Sequence, residues 1–429
     1  MNFLLQIWNS KDLRQKIIFT IAVLVLYRLL AQITVPGIDP AKLREFFGGG
    51  SSGALGIYAM ITGGAIQNFS IVLMGLAPYI NASIIVQLMT VVIPKLETLS
   101  KEGDAGRKTI NKYTRWLALP FAILQSYGMI TIISNIPGAG QVIHPNIPAE
   151  IIPAMIIVST GTLLLMWMGE MITEKGIGNG ISLLIFASIV SNIPTVVGRI
   201  FSEGGVDITQ NTKIASFIGF LILTAVLLFS TILMTEGHRK IPITYGSSGK
   251  SGVGSAIPIR ALQSGMIPII FALSIITFPA VITQVYPHAN NVVTSFIKAY
   301  LSSSNPSFVY FLLYFFLIIF FSFFYVSVVF KPDQIAENIQ KRGGFVPGYR
   351  PGRETAEHIG SVSARLNLWG GAFLGIVAIL PTVFTLFTEL TTQDLIISGS
   401  GIIIIVGVVL DFVRRVNAQL IMHDYEKLK

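Results

Sequence analysis

Leu73–Ile93 reads LMGLAPYINASIIVQLMTVVI, and the reading of this stretch decides the fold. It is long and apolar enough to cross a bilayer, which takes about 20 residues at 1.5 Å each. Pro78, near its start, bends the preceding backbone away from a continuous helix. Around and beyond the proline, Leu76, Ile80, Ser83, Gln87 and Thr90 recur at helical spacing as a single stripe. That stripe is aliphatic at one end and polar at the other. A helix facing only lipid has no use for a polar row, so this one faces protein, water or a passing ligand.

Composition agrees with a membrane reading. Of 429 residues, 52% are hydrophobic and 12% charged, with a mean hydropathy of +0.70, whereas soluble domains carry about 25% charged residues. No charged-then-apolar leader with a small-residue cleavage site precedes the first span, so the start reads as uncleaved. The absence of cysteine excludes a disulfide framework, a thiol nucleophile and a cysteine metal site. The five histidines (His144, His238, His288, His358, His423) are scattered without metal-ligand spacing. Carboxylates fall only towards the ends of the spans, Glu170, Glu236 and Asp411 among them. The chain therefore reads as non-enzymatic, with no catalytic residue, metal or cofactor.

Working outward, ten apolar spans are expected at roughly 17–35, 71–93, 114–134, 150–172, 179–199, 214–235, 262–285, 306–330, 367–388 and 394–413. An even number of spans leaves both termini on one side. Of the 30 lysines and arginines, Lys42, Arg44, Arg199, Lys213 and Lys298 fall on the far side and Arg28 falls within the first span. All the others fall on the side of the termini, which the positive-inside rule makes cytoplasmic. The net charge of +9 thus reports topology rather than nucleic-acid binding.

The connections carry further signals. Gly48–Gly53 is a flexible tether, and Leu55–Ile66 behind it is too short to cross, so it reads as a re-entrant segment buried in protein. GIGNG (176–180) is a tight turn without the βαβ setting of a dinucleotide fingerprint, and Ile181 and Ile185 follow it on one helix face. Gly249-Lys250-Ser251 is not a phosphate loop, because Thr244 stands where its first glycine belongs; it reads as a linker. Lys331–Arg365 is the longest polar stretch, basic and rich in turn formers, with Phe345 and Tyr349 among them. Such a loop suits docking of a large acidic partner. On the residues alone, a secondary transporter with inverted repeats and a structural scaffold stand as alternatives to a channel.

Four runs, GLAPYINASIIVQLM (75–89), GIGNGISLLIFASIV (176–190), MIPIIFALSIITFPA (266–280) and KRGGFVPGYRPG (341–352), closely resemble signature stretches of the SecY family, in the same order and over nearly the whole chain. That family is the pore-forming subunit of the bacterial protein-conducting channel. The resemblance implies an all-α integral membrane fold of ten transmembrane helices in two inverted five-helix halves, 1–200 and 201–429. The halves form a clamshell around a central pore. The first carries a plug at about 55–66 and the second carries loops 236–261 and 331–366.

The resemblance further implies a pore ring of Leu76, Ile80, Ile181, Ile185, Ile270 and Ile404, able to gate by dewetting. It implies a lateral gate of Asn81, Ser83, Gln87 and Thr90 facing Ser274, Thr277 and Phe278. The plug falls on Leu55, Ile57, Tyr58, Met60, Ile61 and Ile66. Docking of the ribosome and the SecA ATPase falls on Arg239, Lys240, Lys341, Arg342, Arg350 and Arg353. The implied function is passage of unfolded secretory polypeptide across, and release of apolar helices sideways into, the bacterial cytoplasmic (inner) membrane. The implied partners also include SecE and SecG small subunits, signal-sequence-bearing polypeptides and membrane lipids. GSSGKSGVGSA before Ile257-Pro258-Ile259 departs from the family, whose loop there clusters more arginine and lysine.

Overall fold

The computed structural model describes residues 10–36, 65, 68–134, 147–202, 211–245, 255–285, 295, 297, 300, 307–388, 395 and 397–427. Among these, the long helices are α1 (Lys11–Leu30), α2 (Ala77–Val92), α4 (Asp104–Ser134), α5 (Pro148–Lys175), α6 (Gly180–Ser202), α7 (Asn211–Glu236), α8 (Ile267–Val285), α9 (Phe308–Val329), α11 (Arg353–Leu386) and α12 (Gly399–Lys427). Two short helices, α3 (Pro94–Lys101) and α10 (Pro332–Lys341), and strands β1 (His238–Tyr245), β2 (Ser255–Arg260) and β3 (Gly344–Phe345) join them. Each expected span overlaps one long helix. On length and composition, Pro148–Lys175, Gly180–Gly198, Ala215–Glu236, Phe308–Lys341 and Arg353–Leu386 can each cross a membrane. The pair Ala77–Val92 and Pro94–Ser100, bent by 105°, makes a sixth if taken as one span.

Proline sets both ends of α2. Pro78 occupies its first turn, where a missing N–H costs nothing, and residues 71–76 ahead of it are turns. Ile93 is extended (φ −101°, ψ 112°), as the residue before Pro94 must be, and the chain turns there into α3. The turns at 71–76 are almost wholly buried. Their backbone is held by Ile71 N–H donating to the Ile33 carbonyl (3.0 Å) and Val35 N–H donating to the Phe69 carbonyl (3.0 Å). Irregular backbone survives at membrane depth only when protein satisfies it in this way.

α1 packs on α5 and α6, α4 packs on α2 and α5, and α5 packs on α6. Later in the chain, α9 packs on α8 and α11, and α12 packs on α7 and α11. Contacts between these two sets run from α2 and α4 to α8, and from α6 to α12. One apolar cluster centres on α8, α9 and α11, with Ile269, Ala272, Ile318 and Leu374 fully buried. A second centres on α1, α5, α6 and α12, with Tyr27, Leu165, Met168 and Leu184. Ile80 and Met266 pack against both. Only 22% of the apolar windows in Ala215–Glu236 and Phe308–Lys341 is buried, leaving broad faces for lipid or for neighbouring subunits.

The stretches on either side of the expected linker form strands that the sequence reading did not anticipate. β1 and β2 are antiparallel with Ile241 opposite Ile257, and β3 adds to the other edge of β1. Ile241, Ile243 and Ile259 point inward onto Ile339 of α10, Val346, and Ile359 and Val362 of α11. Lys240, Pro242 and Thr244 alternate outward. The period-two isoleucines were the available signal; Pro242 and Pro258 masked it, since proline argues against a central strand. α11 and α12 also begin and end well outside the apolar windows, α11 starting at Arg353 and α12 running to Lys427.

Ile241→Ala should destabilise this satellite unit by about 2–5 kcal/mol. Limited proteolysis should then cut faster between β1 and β2 while helical circular dichroism stays constant. An unchanged cutting rate would contradict the packing described.

Candidate functional site

Four separate pieces of chain converge on one cavity. Leu76 and Ile80 come from the start of α2, Ile185 from α6, Ile270 from the first turn of α8 and Ile404 from the first turns of α12. Leu76, Ile185 and Ile404 are 6–8% exposed, and Ile80 and Ile270 pack against them half-buried in the same cluster. Local chemistry places each piece. Asn179 Oδ1 accepts from the N–H of Ile181 (3.1 Å) and of Ser182 (3.4 Å), capping α6 behind Gly178, whose φ of 97° suits glycine alone. Ser398 Oγ accepts from Gly401 N–H (3.1 Å) and caps α12 in the same way. Pro78 and Pro268 sit in the first turns of α2 and α8.

Of the six expected ring residues, five line the cavity. Ile181 belongs to the same packed cluster but lies behind the wall, against Gly169 of α5. The sequence reading missed other wall residues: Met74, Leu165, Leu184, Ile189, Leu273 and Ile397, with a polar group of Ser188, Asn192, Ser398 and Ser400. Ser188, Ile189 and Asn192 continue the face of Ile185 at spacings of three, four and seven, and that periodicity was legible. The Tyr27 hydroxyl and Ser188 Oγ share a buried hydrogen bond of 2.6 Å, so this polar side of the wall is already satisfied. The aliphatic side chains themselves offer water no hydrogen-bond partner. Among the described residues, no group of His, Asp or Glu could hold a metal ion.

The polar row of α2 closes on itself. Gln87 Nε2 donates to Ser83 Oγ (3.3 Å), and Thr90 Oγ1 donates to the Gln87 carbonyl (2.6 Å). Asn81 is not in this row, since at 3.6 residues per turn it stands about 160° round the helix from Ser83. What α2 presents to the cluster around α8 is apolar: Ile80, Ile84 and Leu88, with Ile269, Ala272 and Ile276. Ser274 lies half-buried on α8, and the side chains of Thr277 and Phe278 lie outside the described residues. The expected plug residues Leu55, Ile57, Tyr58, Met60, Ile61 and Ile66 lie outside them too, as does linker 246–254.

The expected docking cations share the end of the molecule that carries the β-unit. Arg350 is exposed at the tip of a loop turned by Gly348 (φ 88°) and Gly352 (φ 101°). Its backbone is pinned on both sides: Arg350 N–H donates to Glu354 Oε2 (3.1 Å), and Thr355 Oγ1 donates to the Arg350 carbonyl (2.8 Å). Tyr349 stacks on His358 with ring centroids 3.9 Å apart. Lys341 pairs with Glu337 (2.6 Å) and Arg353 with Glu357 (2.9 Å). Among the described residues no ion pair holds Arg350, Arg342, Arg239 or Lys240, and all four are exposed. A rigid loop therefore presents a charge that is free to meet a partner.

A SecY family profile matches residues 70–413. The protein translocase subunit SecY of Corynebacterium glutamicum is 39% identical over the full length of both chains. Two solved structures share the fold. One, of SecY, is described as showing that its plug domain stabilises the closed state of the translocation channel and maintains a membrane seal (TM-score 0.66, 16% identity, 94% of this chain and 91% of that one). The other is Sec61 in the canine ribosome-channel complex from the endoplasmic reticulum (TM-score 0.61, 18% identity, 94% and 91%).

Ile185→Asn and Ile404→Asn each put an amide into the aliphatic layer, where leaving it unsatisfied costs about 1–3 kcal/mol and so draws water in. The resting ion current of the purified protein in planar bilayers should rise several-fold for either. A current equal to wild type in a folded variant would contradict a dry layer.

Proposed function

The chain belongs to the SecY family, and we propose that its layer of Leu76, Ile80, Ile185, Ile270 and Ile404 is the constriction through which polypeptide passes. As a member of that family it is a multi-pass membrane protein and a protein-conducting channel subunit, not an enzyme. The observation that carries the constriction is the meeting of aliphatic residues from four distant segments around a single cavity. Unfolded chain needs a conduit that excludes ions at rest and grips no side chain in particular. Aliphatic side chains meet both needs, because they shed water and make only weak, non-directional contacts. Ile181 supports the layer from behind.

Residues 1–200 and 201–429 act as two halves of a clamshell. They touch through α2 and α4 against α8 on one side and through α6 against α12 on the other. Opening between α2 and α8 releases apolar segments to lipid, with Ser83, Gln87, Thr90 and Ser274 flanking the seam and Asn81, Thr277 and Phe278 beside it. Where Ile80, Ile84 and Leu88 meet Ile269, Ala272 and Ile276 the contact is apolar, so a signal-sequence helix replaces like with like there. Leu55–Ile66 acts as the plug.

The positive-inside asymmetry supports both termini, and the β-unit, lying in the cytoplasm of a bacterial cell with the chain in the inner membrane. There Arg350 and Arg342, with Arg239, Lys240, Lys341 and Arg353 around them, receive SecA and the ribosome; the canine relative in a ribosome complex supports the second. SecE and SecG brace the broad apolar faces of α7 and α9. Replacing Arg350 with Glu should abolish ATPase-driven export into reconstituted vesicles while the variant itself still inserts into the membrane. Export at the wild-type rate would remove Arg350 from the docking surface.

A further inference from the structure

Two tight glycine contacts recur in the two sets of helices at matching positions. A Cβ on Gly161 of α5 would overlap the Ile71 carbonyl oxygen, and a Cβ on Gly370 of α11 would lie 2.9 Å from the Ala261 carbonyl oxygen. Ile71 and Ala261 each stand six residues before the first residue of a gate helix, Ala77 of α2 and Ile267 of α8. Each donates its N–H to the turn after the preceding long helix, Ile71 to the Ile33 carbonyl (3.0 Å) and Ala261 to the Gly237 carbonyl (2.8 Å). Eight residues beyond Gly161, the Gly169 carbonyl oxygen occupies the place a Cβ on Gly180 would take, and seven and eight residues beyond Gly370 the Val377 and Ala378 carbonyl oxygens do the same at Gly399; Gly180 and Gly399 are the first residues of α6 and α12. Asn179 and Ser398, one residue earlier, are the caps of those helices.

The same register relates the layer residues in pairs. Ile80 lies nine residues after Ile71, as Ile270 lies nine after Ala261. Ile185 lies five after Gly180, as Ile404 lies five after Gly399. The aliphatic layer is therefore assembled from equivalent places in two equivalent frames, and in each frame the reference point is a carbonyl seated in a glycine notch.

We propose that Gly161 and Gly370 are a matched pair of positioning residues, each seating the connection into one gate helix and together setting the resting separation of α2 and α8. This rests on the reading of α2 and α8 as the lateral gate. A methyl at either notch meets backbone, which cannot rotate aside as a side chain can, so the connection and the helix after it must shift as a body. The overlap is deeper at Gly161, so its displacement is the larger. The second seat has an added tether. Ser322 Oγ lies 2.9 Å from Ser264 Oγ and 2.7 Å from Asn367 Oδ1, and Ser363 Oγ donates to Gln263 Oε1 (2.7 Å), all holding the Leu262–Gly265 connection to α9 and α11.

The chain contains no cysteine, so M89C and I275C, at exposed positions on α2 and α8, accept spin labels uniquely. Distances between the labels are read by double electron–electron resonance in the full chain, reconstituted in lipid with its small subunits. G370A and G161A should each move or broaden the distance distribution, by a few ångströms and more for G161A. G198A, on α6 where a Cβ meets nothing within 4 Å, should leave it unchanged and so controls for the helix-forming effect of alanine. Should G161A fail to accumulate, G370A and the milder S322A decide. A distribution unchanged in folded G370A, or an equal shift in G198A, overturns the notches. A shifted distribution with normal resting ion leak and normal export of a weak-signal substrate upholds the notches and removes the gate reading instead.

Discussion

The proposed constriction is a contact made without a single directed bond. Leu76, Ile80, Ile185, Ile270 and Ile404 line one cavity and pack in one apolar cluster, through dispersion and the exclusion of water. A hydrogen-bonded or charged closure would be stronger at rest, but each passing side chain would have to compete with it. An aliphatic closure yields to any side chain and re-forms behind it, because no partner has to be found again. Its weakness is that it works only if its members are held in place from outside the layer.

The surrounding fold does that holding with polar groups bonded to one another and to helix starts. Each contributing helix begins at the layer and is fixed at its start: Pro78 and Pro268 in the first turns of α2 and α8, and Asn179 and Ser398 as side-chain caps of α6 and α12. Tyr27 and Ser188 satisfy one another beside the cavity. Away from the layer, Arg115 pairs with Glu170 between α4 and α5, and Arg414 with Glu236 between α12 and α7 (2.7 Å). Each pair joins two neighbouring helices, and each charge offsets the cost of the other near hydrocarbon. The β-unit, built on Ile241, Ile243 and Ile259, ties the basic end to α11 and, through Ala261–Met266, to the start of α8.

The helices and most of the layer were legible in the sequence, for separable reasons. Apolar length put each expected span on a long helix, of which five among the described residues, or six with the bent pair, are long and apolar enough to cross. The pairs Leu76–Ile80 and Ile181–Ile185 stood on helical faces next to Pro78 and GIGNG, which mark helix starts. The hairpin was hidden because its two prolines speak against strands, whereas both sit where the sheet can spare a donor. Ile181 packs in the same cluster without lining the cavity, because a helical face is wider than a cavity wall. Asn81 was grouped with Ser83 and Gln87 by chemistry, although helix geometry places it on another side. The convergence of α2, α6, α8 and α12 is a tertiary fact that no local pattern contains; the resemblance supplied it.

The central claim is that one layer of oily side chains from four segments surrounds the chain in transit. Photocrosslinking tests it most directly, with a photoreactive amino acid placed singly at Ile80, Ile185, Ile270 and Ile404, and at the exposed Phe316 and Val226, outside the cavity, as references. A secretory polypeptide stalled midway should crosslink from all four layer positions to the same short stretch of its sequence, and from neither reference. Crosslinks to lipid from the layer positions, or to the stalled chain from Phe316 and Val226 instead, would contradict the account.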